Sequence, residues 1–329
     1  MSKPRTSGRV QAGATGAALQ DQQTTIRSGF RLTGTGVHSG KPVAVRFSPS
    51  EADTGIRFSI GSGAVRTTVR ALASEVGGTD LSTVLGDPGG AHVATVEHLM
   101  AALIGVGIDN ISIDVDGGEV PIFDGSAAPY VHALEEAGIA LLGSPRRYIR
   151  VMRPVRVESG SSWAEFTPYD GTRFDIKIDF DSPAIGRQAI TCDLTAASFR
   201  RDVARARTFG FIKDVERLWA AGLALGSSLE NSVVIGDDHR IINIEGLRYP
   251  DEFVRHKLLD AVGDLSLAGA RFIGRFRSYR GGHKLNLQVL RALLADASAF
   301  EIVEATRRER GRLGEMRAIA APVYQPWAL

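Results

Sequence analysis

The chain has 329 residues, with 39 basic side chains almost balanced by 37 acidic ones, and a single cysteine, Cys192. That length is ample for a buried core, and 43% hydrophobic with 23% charged residues excludes a wholly disordered, collagen-like or coiled-coil chain. One cysteine excludes an intramolecular disulfide framework and any site needing two thiolates, so a metal must rely on His, Asp and Glu, and a net charge of +2 offers no global field for nucleic acid.

Residues 1–22 are rich in Gly, Ala, Ser, Thr and Gln and read as a disordered tail without the apolar core of a signal peptide. No apolar run approaches the roughly 20 residues that span a bilayer. A cytoplasmic protein that at most touches a membrane surface is therefore expected. Order starts near Thr24. Val43 to Phe47 and Ile56 to Ile60 alternate as strands do. A helix follows over Val96 to Ile104, with Thr95 as its N-cap and Gly105 near its end. Ile111 to Val115 reads as a strand and Ala127 to Ala137 as a second helix.

Leu142-Gly-Ser-Pro145 is a cluster of breakers and marks the boundary between an N-terminal unit, 23–143, and a C-terminal unit, 147–305. Strands are predicted over Ile149 to Val157, Ser162 to Pro168 and Phe174 to Phe180. Phe211 to Ala221 and Asp251 to Leu267 follow as helices, then a strand over Arg271 to Tyr279 and a helix over Leu285 to Phe300. Each half runs strands first and helices after, which points to two α+β units rather than one doubly wound sheet. Residues 306–329 form a tail, charge-rich to 317 and apolar beyond.

Three of the seven histidines keep unusual company. His98 follows Glu97 on an otherwise apolar helix, where burying a carboxylate and an imidazole is costly unless they have partners. His256, Asp260 and Asp264 are spaced by four and share one helix face, suited either to metal ligation or to a solvated stripe. His283 follows Gly281-Gly282, which would allow a sharp turn that aims its ring, or a plain loop. Each has a bland structural explanation, but together they supply a full set for zinc catalysis. His98, His256 and Asp260 are ligands, Glu97 a base and His283 an acid. The six lysines are few beside 33 arginines, so Lys257, next to His256, stands out for its compact ammonium group.

The chain resembles the UDP-3-O-acyl-N-acetylglucosamine deacetylase family, the zinc enzymes of lipid A biosynthesis in Gram-negative bacteria. The matching segments are Gly34-Thr-Gly-Val-His-Ser-Gly40, Thr95-Val-Glu-His-Leu99, Gly107-Ile-Asp-Asn110 and Pro121-Ile-Phe-Asp-Gly-Ser-Ala-Ala-Pro129. Then come Ala206-Arg-Thr-Phe-Gly-Phe211, Asp251-Glu-Phe-Val-Arg-His-Lys257 with Leu259-Asp260, Gly263-Asp-Leu265 and Gly282-His283, in family order.

The resemblance implies two similar α+β sandwich domains with helices packed between two sheets and the active site at their junction. It implies one Zn2+ on His98, His256 and Asp260, Glu97 as general base, and His283 as general acid with Asp264 as its carboxylate partner. Thr208 would stabilise the oxyanion, and Lys257 would meet charged groups of the substrate. It further implies an acyl-chain insert near 208–230, with Phe209, Phe211 and the small Ala224 along the passage, and Phe180 stacking on uracil. Without the resemblance, the apolar residues of that stretch read as one face of an amphipathic helix packed on the core. Ser162 stands where many members carry lysine. The expected partners are a UDP-linked acylated amino sugar, no nucleic acid, a membrane surface in passing, and a regulatory protease acting on the C-terminal tail; the expected state is a monomer. Two alternatives fit the residues alone: a metal amidohydrolase for another N-acyl substrate, and a binding module with a structural metal.

Overall fold

The computed structural model describes residues 22–61, 66–305 and 317–319. The chain begins with β1 (Gln22–Ile26), β2 (Phe30–Thr35), β3 (Pro42–Pro49), β4 (Ile56–Ile60) and β5 (Thr67–Arg70). Three short strands follow, β6 (Val76–Gly78), β7 (Val84–Gly86) and β8 (His92–Val93), and lead into helix α1 (Glu97–Val106). Then come β9 (Ile111–Val115), α2 (Ala128–Ala137) and β10 (Ile139–Pro145). A five-stranded sheet in the order β2-β3-β9-β4-β5 forms one outer layer. Its strands bury alternate residues, Val43, Val45 and Phe47 on β3 and Ile111, Ile113 and Val115 on β9, so one face is core and the other solvent.

The second half starts with β11 (Arg147–Val151), β12 (Val155–Ser159), β13 (Ser162–Thr167), β14 (Thr172–Asp179) and β15 (Arg187–Asp193). After the single turn α3 (Ala196–Ser198) come β16 (Phe209–Phe211), α4 (Ile212–Ala220) and β17 (Val233–Ile235). The long helix α5 (Glu252–Ser266), β18 (Arg271–Tyr279), α6 (His283–Ala295), β19 (Phe300–Glu304) and β20 (Arg317–Ile319) complete the described chain. Strand β18 is the hub of an eight-stranded sheet: its first residues pair in parallel with β11, and the rest pair with antiparallel β13 and parallel β14.

Helix α5 rests on β14 and β15, α6 on β12 and β13, and α1 packs against both α2 and α5. Almost every residue of α1 and most of α5 is buried, as an internal layer requires. Leu99 and Leu103 of α1, Phe58 and Ile113 of the first sheet, and Phe166 and Phe174 of the second belong to one continuous core. Helices α1 and α5 therefore lie between the two sheets. Among the described residues no helix is long and apolar enough to cross a membrane.

Several sequence expectations change. Thr95 does not cap α1; Val96 holds that position and Thr95 sits in the left-handed region at φ 62°, its hydroxyl donating to Glu119. The helix runs two residues past the expected Ile104, with Gly105 near its end, and closes at Gly107. Leu142 to Pro145 is not a break but part of β10, which pairs with β1, and Gly143 takes a positive φ of 75° within the strand. The strand expected over Ile149 to Val157 is two, β11 and β12, divided around Pro154. Phe300 opens β19 instead of ending α6. The apolar side chains of α4 do not pack on the core: none of its residues is buried, and Ile212, Trp219 and nearby Leu225 are exposed. Gln22, placed in the leading tail, is the first residue of β1, and Arg317–Ile319, placed in the trailing tail, pairs with β19. The rest of both expected tails lies outside the described residues.

Candidate active site

The close approach of α1 and α5 assembles the site. A Cβ on Gly263 of α5 would lie 2.0 Å from the Glu97 carbonyl, so glycine there lets the two backbones touch. The first turn of α1, carrying Glu97 and His98, thereby faces the stripe of His256, Asp260 and Asp264 on α5. Ligand atoms of His98, His256 and Asp260 all lie within 4.8 Å of one another, and all three residues are buried.

His256 Nδ1 donates to the Ala206 carbonyl at 3.1 Å, which leaves Nε2 as a bare acceptor. That Nε2 faces Asp260 Oδ1 at 3.3 Å, and His98 Nε2 stands 3.6 Å from the same oxygen. Asp260 Oδ1 has no hydrogen-bond partner although it is buried. Its other oxygen accepts from Lys257 Nζ at 2.9 Å. Burial pushes the His256 pKa down to about 3 in spite of the neighbouring Asp260, so the ring stays neutral. Burial alone would raise Asp260, yet its close neighbours, with Lys257 the cation among them, hold it well below the usual carboxylate range. Two imidazoles and one ionised carboxylate converging on a point is a donor set suited to zinc, and the orphaned Oδ1 fits a cation there.

Beside this cluster His283 stands between two carboxylates, Asp264 and Glu97. His283 Nδ1 donates to Asp264 Oδ2 at 2.9 Å, and its Nε2 points toward Glu97 Oε1 at 3.8 Å. Burial works against a charged His283, but Asp264 and Glu97 outweigh it and raise the pKa to about 10. Burial also raises Glu97, partly opposed by His283 and His98. The turn that presents His283 is made by Arg280, at φ 52°, rather than by the glycines; Gly282 is extended at φ −162°.

Other predicted residues fall around this centre. Thr208 lies in the extended segment that supplies the Ala206 carbonyl, and its backbone N–H donates to Gly125 at 2.9 Å. That segment is pinned by the buried Arg207–Glu252 ion pair at 2.9 Å. Phe209 stands 6.1 Å from the His256 ring, 4.9 Å from Phe253 and 5.7 Å from Phe180, with Lys257 Nζ 5.5 Å above its face. Phe211 joins Phe180 at 6.4 Å, forming a partly buried aromatic wall. Ala224 is buried in the left-handed region at φ 56°, its carbonyl accepting from Trp219 Nε1 at 3.1 Å. The following residues dock on the glycine-rich loop, Leu225 N–H to His38 carbonyl and Gly226 N–H to Val37 carbonyl.

A family model described as UDP-3-O-acyl N-acetylglycosamine deacetylase matches residues 23–295. The chain belongs to that family. It is 55% identical over 283 residues to the UDP-3-O-acyl-N-acetylglucosamine deacetylase of Brucella ovis, covering 86% of this chain and 99% of that one. The protein of the same name from Brucella melitensis biotype 2 is 54% identical with the same coverage.

Four contributors to the deacetylase-family site escaped sequence reasoning. Thr83 donates its backbone N–H to Glu97 Oε2 at 3.0 Å and its hydroxyl to Asp264 Oδ1 at 2.6 Å. Asn286 donates to Asp264 Oδ2 at 2.8 Å. The Ala206 carbonyl orients His256, and Glu119 accepts from the His38 and Ser39 N–H groups and from Thr95. Only Asn286 left a signal, three residues after His283 on a helix and therefore on the same face.

Proposed function

We propose that this chain hydrolyses the N-acetyl group of a UDP-3-O-acyl-N-acetylglucosamine, releasing acetate and the free amine, as the committed step of lipid A biosynthesis. His98, His256 and Asp260 would hold one zinc ion. The single observation that carries the reading is the partnerless, buried Asp260 Oδ1 facing two imidazoles, with an acid–base pair alongside. Zinc bound there supplies a Lewis acid that polarises a carbonyl and lowers the pKa of water to about 7.

The chain's own residues do the rest. Glu97 takes the proton of the attacking water at Oε1, the oxygen that Thr83 leaves open. His283 gives a proton from Nε2 to the amide nitrogen, which otherwise leaves poorly, while Asp264 holds its Nδ1 and favours the imidazolium. The Thr208 hydroxyl donates to the developing oxyanion. Lys257, tied to Asp260, adds positive charge for the substrate's anionic groups. Phe180 offers its face to uracil, and Phe209, Phe211 and Ala224 line the path of the acyl chain. At roughly 0.8 kcal/mol per buried CH2, that chain contributes much of the affinity.

We assign the two units to 23–143 and 147–305, so that α1 and α5 bring one half of the site each. The enzyme acts as a monomer in the cytoplasm, meeting the membrane surface only in passing, and its C-terminal tail is a candidate handle for a regulatory protease. Glu97→Ala tests the assignment: zinc stays bound while turnover falls by about 10²–10⁴. Full activity in that variant would remove Glu97 from the mechanism.

A further inference from the structure

We propose that Thr83 is a positioning residue that sets the acid–base pair from a single point. Its backbone N–H takes Glu97 Oε2 at 3.0 Å, leaving Oε1 as the oxygen that faces His283 Nε2 at 3.8 Å. Its hydroxyl takes Asp264 Oδ1 at 2.6 Å, leaving Oδ2 as the oxygen that receives His283 Nδ1 at 2.9 Å. In each carboxylate, therefore, Thr83 occupies one oxygen and His283 meets the other. Base and acid are held relative to one another through one residue that hydrogen-bonds neither to the ligand cluster nor to His283 itself.

The backbone around Thr83 is fixed for this task. Its carbonyl accepts from Val96 N–H at 3.3 Å, at the start of α1, which has no side-chain cap of its own. Thr83 is buried and immediately precedes β7 in the three-stranded sheet, while Leu81, two residues before, sits in the left-handed region at φ 66°. Thr83, at the entry to β7, thus donates two hydrogen bonds, to Glu97 of α1 and to Asp264 of α5, and accepts a third from the start of α1. A buried hydroxyl donating to a charged carboxylate is also costly to lose, because Asp264 Oδ1 would be left without its donor.

The inference rests on the acid–base assignment above, and the test separates the two. Thr83→Val keeps the shape and the backbone bonds but deletes the hydroxyl. Using UDP-3-O-acyl-N-acetylglucosamine and the full chain, kcat should fall about 10- to 100-fold. KM and bound zinc should stay at wild-type levels, a split that general loosening of the fold would not give. Thr83→Ser, which restores the hydroxyl, should recover most of kcat. Should Thr83→Val not fold, Thr83→Ala against Thr83→Ser decides by the same measurements. Equal kcat in the Ser variant and the Val or Ala variant overturns the role of Thr83, provided Glu97→Ala is inactive in the same assay. An active Glu97→Ala enzyme overturns instead the acid–base assignment on which it rests.

Discussion

His256 turns its bare Nε2 toward Oδ1 of Asp260 at 3.3 Å, acceptor against acceptor, inside a buried site. Neither atom gains from that contact without a cation between them. Metal binding should therefore stabilise the fold. Zinc at 100 times its Kd should add about 2.7 kcal/mol to unfolding. Thermal melts of chelated protein with and without zinc measure this, and Asp260→Ala should abolish the shift. An unchanged melting temperature in the wild type would remove the metal from this site.

The His283–Asp264 pair should govern pH behaviour. The folded value of His283, about 10, lies above the ordinary 6.5. Its imidazolium thus stabilises the fold fully below about 6.5 and loses that contribution as the pH rises through the folded value. Asp264→Asn removes the strongest group that opposes burial, so the His283 pKa should drop by more than about one unit. NMR titration of the ring in metal-free protein measures it, and the alkaline limb of kcat should move the same way. A His283 pKa unmoved by the substitution would contradict the assignment of Asp264.

Gly263 tests the helix contact. An added Cβ would lie 2.0 Å from the Glu97 carbonyl, and both sides of that contact are helix backbone. Gly263→Ala should cost about 1–3 kcal/mol through overpacking and should weaken zinc binding, because the ligands come from both helices. Urea denaturation and a zinc titration read the two effects. Unchanged stability would mean that α1 and α5 are free to separate.

The buried Arg207–Glu252 pair anchors the segment that carries Ala206 and Thr208. The Arg207 side chain is 1% exposed and that of Glu252 fully buried, and Glu252 also accepts from the Arg207 and Arg248 N–H groups. Glu252→Ala leaves a buried guanidinium without its main partner, at a cost of about 3–5 kcal/mol. Denaturant unfolding should show that loss, and a change below about 1 kcal/mol would argue against the anchor.

Much of the chemistry was legible because helical spacing is strict. The interval of four from His256 to Asp260 to Asp264 places all three on one face whatever surrounds them, and Glu97 and His98 stood out as polar residues on an apolar helix. What escaped was delivered by backbone geometry or by residues distant in sequence. Thr83 is an ordinary Thr in a segment without periodicity, and its partners lie 14 and 181 residues away. Glu119 stands in no motif or periodic segment, and only the fold brings the loop at His38 and Ser39 around its carboxylate. The strand at Ile139–Pro145 was hidden by Gly143 and Pro145, which signal a break locally but are tolerated in a two-stranded ribbon. The exposed apolar residues of α4 looked like core because periodicity reports an apolar face, not what covers it.

Acetate release from UDP-3-O-acyl-N-acetylglucosamine, measured together with bound zinc, tests the central claim most directly. Purified wild-type chain should carry about one zinc per molecule and release acetate in a chelator-sensitive way. His98→Ala should lose both metal and activity. Acetate release by metal-free wild type, or full activity in His98→Ala, would contradict the account.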